Sequence, residues 1–406
     1  CGCESFPLGG LDRRSGMLRL LRREHRGIPR LLFDVGNFSD ETGAAGRVKT
    51  RRLLEAMGRL GYVASGVGAR DLAWGESGFE ALREGLSFPL LSANLVRESS
   101  REPWLEPYTL AKAGELNIGV VAVTGFDPTL RMPLAEGDAV VTIDPLVGLR
   151  RALDELAGQA DLVVLLAALP LEDARLLVKR VPGVDLVFGS LGAMTLDLAE
   201  SEGETRILYC GKEGQYIGQV DVYVDEQGMP RSFSEKLVAL GDAIPSDPVM
   251  EAFMIEGMVE AQEAELAALE ALRASISGQP QAGPTYLGSG SCTACHADIV
   301  AGWSETRHRR AWESLERKPS AFEESCVACH VTGFGEPSGY VSAEVTPHLQ
   351  EVGCESCHGP ASEHVARPEQ PYGAISIASC TGCHDAANDP NFNYYEERRL
   401  VSHEED

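Results

Sequence analysis

The motif CxxCH occurs four times in the last third of this chain of 406 residues, as CTACH, CVACH, CESCH and CTGCH. The motifs begin at Cys292, Cys326, Cys354 and Cys380. In a motif of this kind, two thiols one helical turn apart form thioether bonds to the vinyl groups of a porphyrin, and the adjacent His reaches the iron. A zinc ribbon, by contrast, pairs CxxC units without a His after each one. The four motifs therefore predict four covalently bound haem c groups.

Two sets of residues are predicted to hold these haems, the attachment cysteines and the proximal histidines. The attachment cysteines are Cys292, Cys295, Cys326, Cys329, Cys354, Cys357, Cys380 and Cys383. The proximal iron ligands are His296, His330, His358 and His384. The chain has 11 cysteines, and because eight of them belong to this set, cysteine chemistry is concentrated in the last third of the chain.

Four further histidines lie in the same region, at His308, His348, His364 and His403. Their number equals the number of predicted irons, each of which has a second axial position. Met is the usual competitor for that position, yet the last Met is Met258, before this region begins. The matching count predicts bis-histidine ligation at all four irons, although each spare His considered alone could also be an exposed surface residue.

The predicted ligation favours electron relay over catalysis. An iron with two imidazole ligands has no open position for a substrate, and imidazole on both faces lowers the reduction potential compared with His/Met ligation. Two alternatives remain open. The first is a multihaem oxidoreductase acting on nitrogen oxyanions or hydroxylamine, which needs an open iron. The second is a structural subunit of a conducting cytochrome assembly.

The formal net charge of -25 restricts the partners. Nucleic acid is excluded as a partner, because phosphate binding needs a basic surface. Haem propionates add further negative charge to the last third of the chain. We therefore expect protein redox partners with basic docking surfaces, and membership of a larger redox complex is compatible with this expectation.

The chain begins at a Cys, with the sequence CGCESFPLGG. Such a start is typical of a lipoprotein after removal of its signal peptide, with Cys1 acylated, although a trimmed chain would look identical. Haem is attached to CxxCH outside the cytoplasm, so we predict export to the periplasm, the outer membrane or the cell surface, with a lipid anchor at Cys1. Cys3 and Cys210 then remain as a pair that could form a disulfide, although spacing alone does not show that they meet.

Residues 31–240 alternate short apolar runs with amphipathic segments, which predicts an α/β layered domain. Pro248–Ser275 has apolar residues at helical spacing and is predicted to be one long helix. Its apolar stripe is predicted to pack on a domain, and binding to the groove of a partner is the alternative; the stripe contains Met250, Phe253, Met254 and Met258. The following Gly, Pro and Ser-rich stretch reads as a linker. The predicted domains are residues 1–244, a helix and linker at 245–290, and a mostly helical, loop-rich multihaem domain at 291–406.

Residues 290–404 resemble the tetrahaem cytochrome c family of nitrifying bacteria that takes electrons from hydroxylamine oxidoreductase. The resemblance is carried by CTACH, WSETRHRRAW, CVACHVTGFG, CESCHGPASEHV and CTGCH in that order. It implies packed haem pairs that form a chain for electron transfer, and it implies that His364 ligates the haem of another motif. His308 matches the family His that follows the first motif. One iron in that family is five-coordinate, whereas this region has enough histidines for every iron.

Residues 8–240 resemble the metallophosphoesterase domain of periplasmic 5'-nucleotidases, which implies a layered α/β sandwich. The resemblance is carried by LLFDVGNFSD, LLEAMGRLGYVASGVGARDLAWG, FPLLSANL, DLVVLLAALPLEDARLLVKRVPGVDLVFGS and GKEGQYIGQVDVYV in the family order. Enzymes of that family bind two metals through Asp, Asn and His ligands in five motifs.

The family's metal ligands are largely replaced in this chain. The first ligand motif has no counterpart, and other substituted positions are Asn37, Ala69, Arg70, Ala168, Leu191 and Ala193. A two-metal phosphohydrolase needs closely spaced anions and imidazoles to hold both ions. We therefore predict an inactive phosphoesterase-like domain that serves as scaffold or docking surface, with Arg70 in the vacated cation position, paired with Asp34 or Asp71.

Overall fold

The computed structural model describes residues 8–39, 43–189, 200–211, 214–277, 283–316, 324–343, 345–385, 388–389 and 391–403. The described residues divide into two compact units. The first unit contains the residues up to Val259, apart from residues 43–45, and the second contains residues 43–45 and those from Glu260 onwards. The domain limits predicted from the sequence, at 244 and 290, stay predictions.

The first part of the chain alternates strands and helices, as the sequence predicts. The helices are α1 (Leu11–Glu24), α2 (Ala44–Leu60), α3 (Gly75–Arg83), α4 (Pro145–Leu156), α5 (Leu171–Arg180) and α6 (Pro248–Ser277). The strands are β1 (Leu32–Asp34), β2 (Tyr62–Gly66), β3 (Leu90–Leu91), β4 (Leu95–Arg97), β5 (Tyr108–Ala113), β6 (Leu116–Thr124), β7 (Arg131–Pro133), β8 (Ala139–Thr142), β9 (Leu162–Ala168), β10 (Leu186–Gly189), β11 (Glu200–Glu202), β12 (Thr205–Tyr209), β13 (Tyr216–Val224) and β14 (Pro230–Ala239).

The strands form two principal sheets. The larger sheet has the order β11-β12-β10-β9-β6-β5, in which the four central strands are parallel and the two edge strands are antiparallel to their neighbours. The second has the parallel order β1-β2-β3. The hairpin β13-β14 and the antiparallel set β4-β8-β7 complete the unit. This arrangement confirms the predicted α/β layered class.

The core of the first unit lies on both faces of the larger sheet. On one face, Val121 and Leu165 pack with Leu149 of α4 and Leu177 of α5. On the other face, residues of β6 and β9 pack with residues of β2, β3 and the β13-β14 hairpin. Strand β9, with the sequence LVVLLAA, is apolar at every position because both of its faces are covered.

Helix α6 confirms the predicted long helix and most of its apolar stripe. Met250 and Phe253 are buried against α1 and α2, and Met254 is partly buried on the same cluster. Met258, the fourth residue of the predicted stripe, is 52% exposed, so its assignment to the packed face is wrong. Among the described residues, no helix is both long and apolar enough to span a membrane.

The second unit consists of short helices joined by turns. Its helices are α7 (Ala297–Ser304), α8 (Glu313–Glu316), α9 (Glu324–Val327), α10 (Cys354–His358), α11 (Ser362–Ala366), α12 (Ile377–Thr381) and α13 (Tyr394–Glu397). Three 3-10 turns lie at Ser289–Cys292, Pro347–Leu349 and Arg398–Leu400. A small apolar cluster contains Val327, Val331, Tyr340 and Leu349. This architecture agrees with the predicted helical, loop-rich class.

A buried carboxylate fastens the start of the second unit to its third CxxCH motif. Glu355, the first residue between the two cysteines, is 2% exposed. Its carboxylate accepts hydrogen bonds from the backbone N–H groups of Leu287 at 2.9 Å, Gly288 at 2.6 Å and Ala361 at 2.7 Å. These bonds satisfy backbone donors that would otherwise be buried without acceptors.

A second buried carboxylate holds the loop after β1 against the loop after β2. Asp71 accepts hydrogen bonds from the backbone N–H groups of Asn37, Gly68 and Ser39 at 2.8, 2.8 and 2.9 Å. Asn37 has a φ of 57°, in the left-handed region that Asn tolerates better than most residues. Burial raises the pKa of Asp71 to about 7, although the three N–H donors lower it.

We expect the substitution Glu355→Gln to destabilise the second unit. One carboxylate oxygen becomes an NH2 group that faces backbone donors, and a buried donor left without an acceptor costs about 1–3 kcal/mol. The free energy of unfolding, measured by urea denaturation followed through haem absorption, should fall by that amount. Glu369→Gln removes the same charge at an exposed position and should leave it unchanged. Equal effects of the two substitutions would contradict the assigned role of Glu355.

Asp71 should make the stability of the first unit depend on pH. Its folded pKa of about 7 lies above the unfolded value, so the folded state binds the proton more tightly and loses stability as pH rises towards 7. Asp71→Asn does not titrate. The free energy of unfolding of this variant should lie below that of the native chain. The difference, measured by urea unfolding and circular dichroism, should shrink by ~1.4 kcal/mol per pH unit as the pH rises from about 5 to 7. A difference in the free energy of unfolding that does not change with pH would contradict this prediction, and such behaviour is expected of the control Asp154→Asn at an exposed position.

Candidate haem-binding site

Each CxxCH motif adopts a helical turn that places its two cysteines and its His on one side. In the first motif the backbone N–H of His296 donates to the carbonyl of Cys292 at 2.9 Å, and in the fourth His384 donates to Cys380 at 3.0 Å. The second motif continues from α9, and the third forms α10. Thiols one turn apart meet the spacing that thioether attachment requires.

Three of the four motif histidines are oriented by a hydrogen bond from Nδ1. His330 donates to the carbonyl of Ala311 at 2.7 Å, and His358 donates to the carbonyl of Gly373 at 2.7 Å. His384 donates instead to a carboxylate, Oδ2 of Asp389, at 2.8 Å. A proton fixed at Nδ1 leaves Nε2 as the lone-pair nitrogen, and metal-bound histidines are ordinarily held in this way. The rings are therefore prepared for metal coordination through Nε2.

The predicted distal histidines face motif histidines in three pairs. A bond from imidazole nitrogen to a metal is about 2 Å long and the nitrogen lies roughly 1 Å from the ring centroid, so two imidazoles on one metal have centroids about 6 Å apart. The observed centroid distances are 6.4 Å for His296 and His364, 6.1 Å for His384 and His308, and 5.8 Å for His358 and His403. The spacing fits bis-histidine ligation of one iron by each pair.

Two further observations fit these pairs. His364 Nδ1 is buried and has no hydrogen-bond partner among the described residues, which a coordinated metal would remedy. Burial lowers the pKa of His308, and the neighbouring His384 lowers it further. The neutral imidazole is the form that binds a metal. The residues present therefore fit haem iron at three positions.

The two remaining histidines, His330 of the second motif and the predicted distal ligand His348, differ from the residues of the three pairs. Within the ranges that the structure describes, no ring pair of this spacing includes either residue. His348 is exposed on the turn Pro347–Leu349, and its ring lies beside Gly288. The assignment of His348 as a distal ligand thus stays a prediction.

The cysteines indicate which motifs are neighbours in space. Sγ of Cys292 contacts Sγ of Cys354, which joins the first motif to the third. Sγ of Cys383 contacts Sγ of Cys329, which joins the fourth motif to the second. Cys357 is an electrostatic neighbour of both cysteines of the fourth motif. The four motifs therefore follow the spatial order first, third, fourth, second.

Aromatic residues that the sequence analysis did not single out lie against the predicted ligands. The ring of Tyr372 stacks on His364 with centroids 4.6 Å apart and an interplanar angle of 8°. The ring of Phe392 stacks on His384 at 4.5 Å and 21°. Neither aromatic residue is part of a motif or lies at a fixed distance from one, so the sequence carried no signal for these contacts.

In the first unit, β1 ends at the acidic residue Asp34. Asp34 is partly buried and has Arg14 of α1 as a charged neighbour, and Arg14 donates to the hydroxyl of Tyr62 at 3.0 Å. Burial raises the pKa of Asp34, while the charge of Arg14 lowers it. The cation beside Asp34 is thus Arg14. Arg70, which the sequence suggested for this place, is exposed, and its backbone N–H donates to Oδ1 of Asn37 at 3.3 Å.

The described residues do not form a site for two metals. No group of three or more His, Cys, Asp or Glu residues suited to a metal ion occurs among them. Ala168, at the predicted position of a family His, is buried at the end of β9. Leu191 and Ala193 lie outside the described residues. Near Asp34 the described residues place the positive charge of Arg14, which lowers the pKa of that carboxyl.

Comparisons with known proteins match the two parts of the chain to different families. Residues 291–359 match the family described as cytochrome c554 and c-prime. Cytochrome c-554 of Nitrosomonas europaea is 38% identical in an alignment 108 residues long that covers 22% of this chain and 45% of that protein. Snake venom 5'-nucleotidase of Naja atra is 25% identical in an alignment 280 residues long that covers 63% of this chain and 52% of that protein. The chain thus spans about half the length of each of these relatives.

A solved structure supports the fold of the first unit. Sulfate thiohydrolase SoxB of Thermus thermophilus superposes with a TM-score of 0.57 at 19% identity, over 63% of this chain and 48% of that one. At this identity the likeness concerns the fold alone. The N-terminal region therefore matches the 5'-nucleotidase and metallophosphoesterase family, and the C-terminal region carries a match to the cytochrome c554 family, which implies covalently bound haem c.

Proposed function

We propose that this chain is an exported tetrahaem c-type cytochrome that relays electrons between protein redox partners. The proposal is supported above all by three pairs of imidazole rings that lie at the spacing of two ligands on one iron. The pairs are His296 with His364, His384 with His308, and His358 with His403. Haem c supplies, when bound, an iron that alternates between the ferric and ferrous states. The cysteines of the chain would attach it, and each of the three facing pairs of histidines would hold one iron.

The closure of both axial positions favours transfer of electrons over reaction with a substrate. Each facing pair leaves no site on its iron for a third ligand. The sulfur contacts supply the order of the relay, because the thiols of this structure stand for the thioether sulfurs of the haem-bearing protein. On this basis the relay runs from the first motif to the third, the fourth and the second, or in reverse.

The first unit is proposed to act as a scaffold or docking surface without phosphoesterase activity. The support is the replacement of metal ligands and the compensation of Asp34 by Arg14. The net charge of -25 supports redox partners with basic surfaces. Export follows from the site of haem attachment. A disulfide between Cys3 and Cys210 stays part of the proposal, and Cys3 lies outside the described residues.

One observation favours a second function. No imidazole among the described residues faces His330 at ligand spacing, so the iron that it holds would keep one side open. An open haem iron is the requirement for binding a small molecule such as a nitrogen oxyanion or hydroxylamine. A reductase or oxidase acting at the second motif is therefore the second candidate.

Low-temperature EPR of the oxidised protein tests the proposal. We expect low-spin signals from three haems and a high-spin signal from the fourth, since three imidazole pairs are present. Relay predicts that nitrite and hydroxylamine leave the high-spin signal unchanged. A signal that responds to either compound, together with turnover, would favour the second candidate. Low-spin signals from fewer than three haems would contradict the assigned pairs.

Substitution of two histidines tests which of the predicted distal ligands bind an iron. His364→Ala should convert one low-spin haem into a high-spin haem, because His364 faces His296. His348→Ala should leave the EPR spectrum unchanged, because this exposed side chain faces no motif His among the described residues. The reverse result, a change with His348→Ala alone, would establish His348 as a ligand and overturn the pairing read from the structure.

A further inference from the structure

The fourth motif differs from the second and third in the group that holds its proximal His. His330 and His358 each donate Nδ1–H to a neutral backbone carbonyl, of Ala311 and Gly373. His384 donates to the carboxylate of Asp389, with Nδ1 and Oδ2 separated by 2.8 Å. Asp389 is thus the one anionic partner that the structure shows for a motif His among the described residues.

The surroundings of His384 favour a strong and well-oriented hydrogen bond. The side chains of His384 and Asp389 are 32% and 34% exposed, so each is mostly removed from water. Phe392 stacks on one side of the imidazole, and His308 faces it across 6.1 Å. These contacts restrict rotation of the ring, so that the Nδ1–H direction stays aimed at the carboxylate. Partial exposure moderates the electrostatic effect without removing it.

We propose that Asp389 is a positioning residue that lowers the reduction potential of the iron held by His384 and makes it the lowest of the relay. This inference rests on the proposed electron-transfer function. A carboxylate that accepts the Nδ1 proton gives the imidazole partial imidazolate character, which makes Nε2 a stronger electron donor. A stronger donor and a nearby negative charge both stabilise ferric over ferrous iron.

The position of the fourth motif within the relay makes its low reduction potential a barrier to electron flow. The sulfur contacts put the fourth motif between the third and the second. An electron crossing from one end to the other must pass the site where it is least stable. Each exchange moves a single electron between neighbouring sites, one being oxidised as the other is reduced, and Asp389 keeps its charge throughout. Electrons should therefore reside on either side of the fourth site, which separates the relay into two storage regions.

The test is a potentiometric titration of the haem-loaded full chain, followed by absorption and EPR, in the native form and in Asp389→Asn. Asparagine keeps the size and an acceptor oxygen but removes the charge. We expect the lowest of the four midpoint potentials to rise by at least a tenfold change in the ferric–ferrous equilibrium, about 59 mV for one electron. The other three should not move. Asp389→Glu, which retains the carboxylate, should stay close to the native potential.

Glu369→Gln is the matched control, because it removes one negative charge from an exposed position of the same unit. An equal shift in this control would show that overall charge, and not the hydrogen bond to His384, sets the potential, and would overturn the inference. Unchanged potentials in Asp389→Asn, with low-spin EPR signals intact, would also overturn it. Failure of the proposed function gives a different result, because the native protein itself would then lack four reducible haems.

Discussion

Two imidazoles that bind one iron must face each other across about 6 Å, and this distance is the constraint on which the second unit depends. Its three ring pairs, at 5.8 to 6.4 Å, join residues that are 45 to 76 positions apart in the sequence, from His358 and His403 at the lower end to His308 and His384 at the upper end. Short helices and turns can meet such a condition because each needs to present only one or two ligands. Glu355 supplies part of the remaining stability by holding backbone groups of Leu287, Gly288 and Ala361.

The first unit has a metallophosphoesterase-like fold without a group of metal-binding side chains among its described residues. Acidic side chains in its interior need compensation from neighbouring donors or cations. Asp71 obtains it from three backbone N–H groups, and Asp34 obtains it from Arg14. The contacts of Asp71 hold the loop after β1 against the loop after β2.

Local patterns in the sequence predicted the helices and strands, but they did not predict the long-range contacts. The apolar run of β9 and the alternation around it predicted the layered sheet, and CxxCH predicted the helical turns. Counting predicted four distal ligands but could not pair them with their haems, and the assignment of His348 stays a prediction. Spacing held no information about Arg14 beside Asp34 or Asp389 beside His384, because each contact depends on how separate segments pack.

The most direct test of the central claim is the intact mass of the purified protein, combined with quantitative haem absorption. The account predicts a chain carrying four covalently attached haems, and it predicts that replacing both cysteines of one motif by serine lowers the count by one. A native protein with fewer than four haems, or a CxxCH variant that keeps its full complement, would contradict the account.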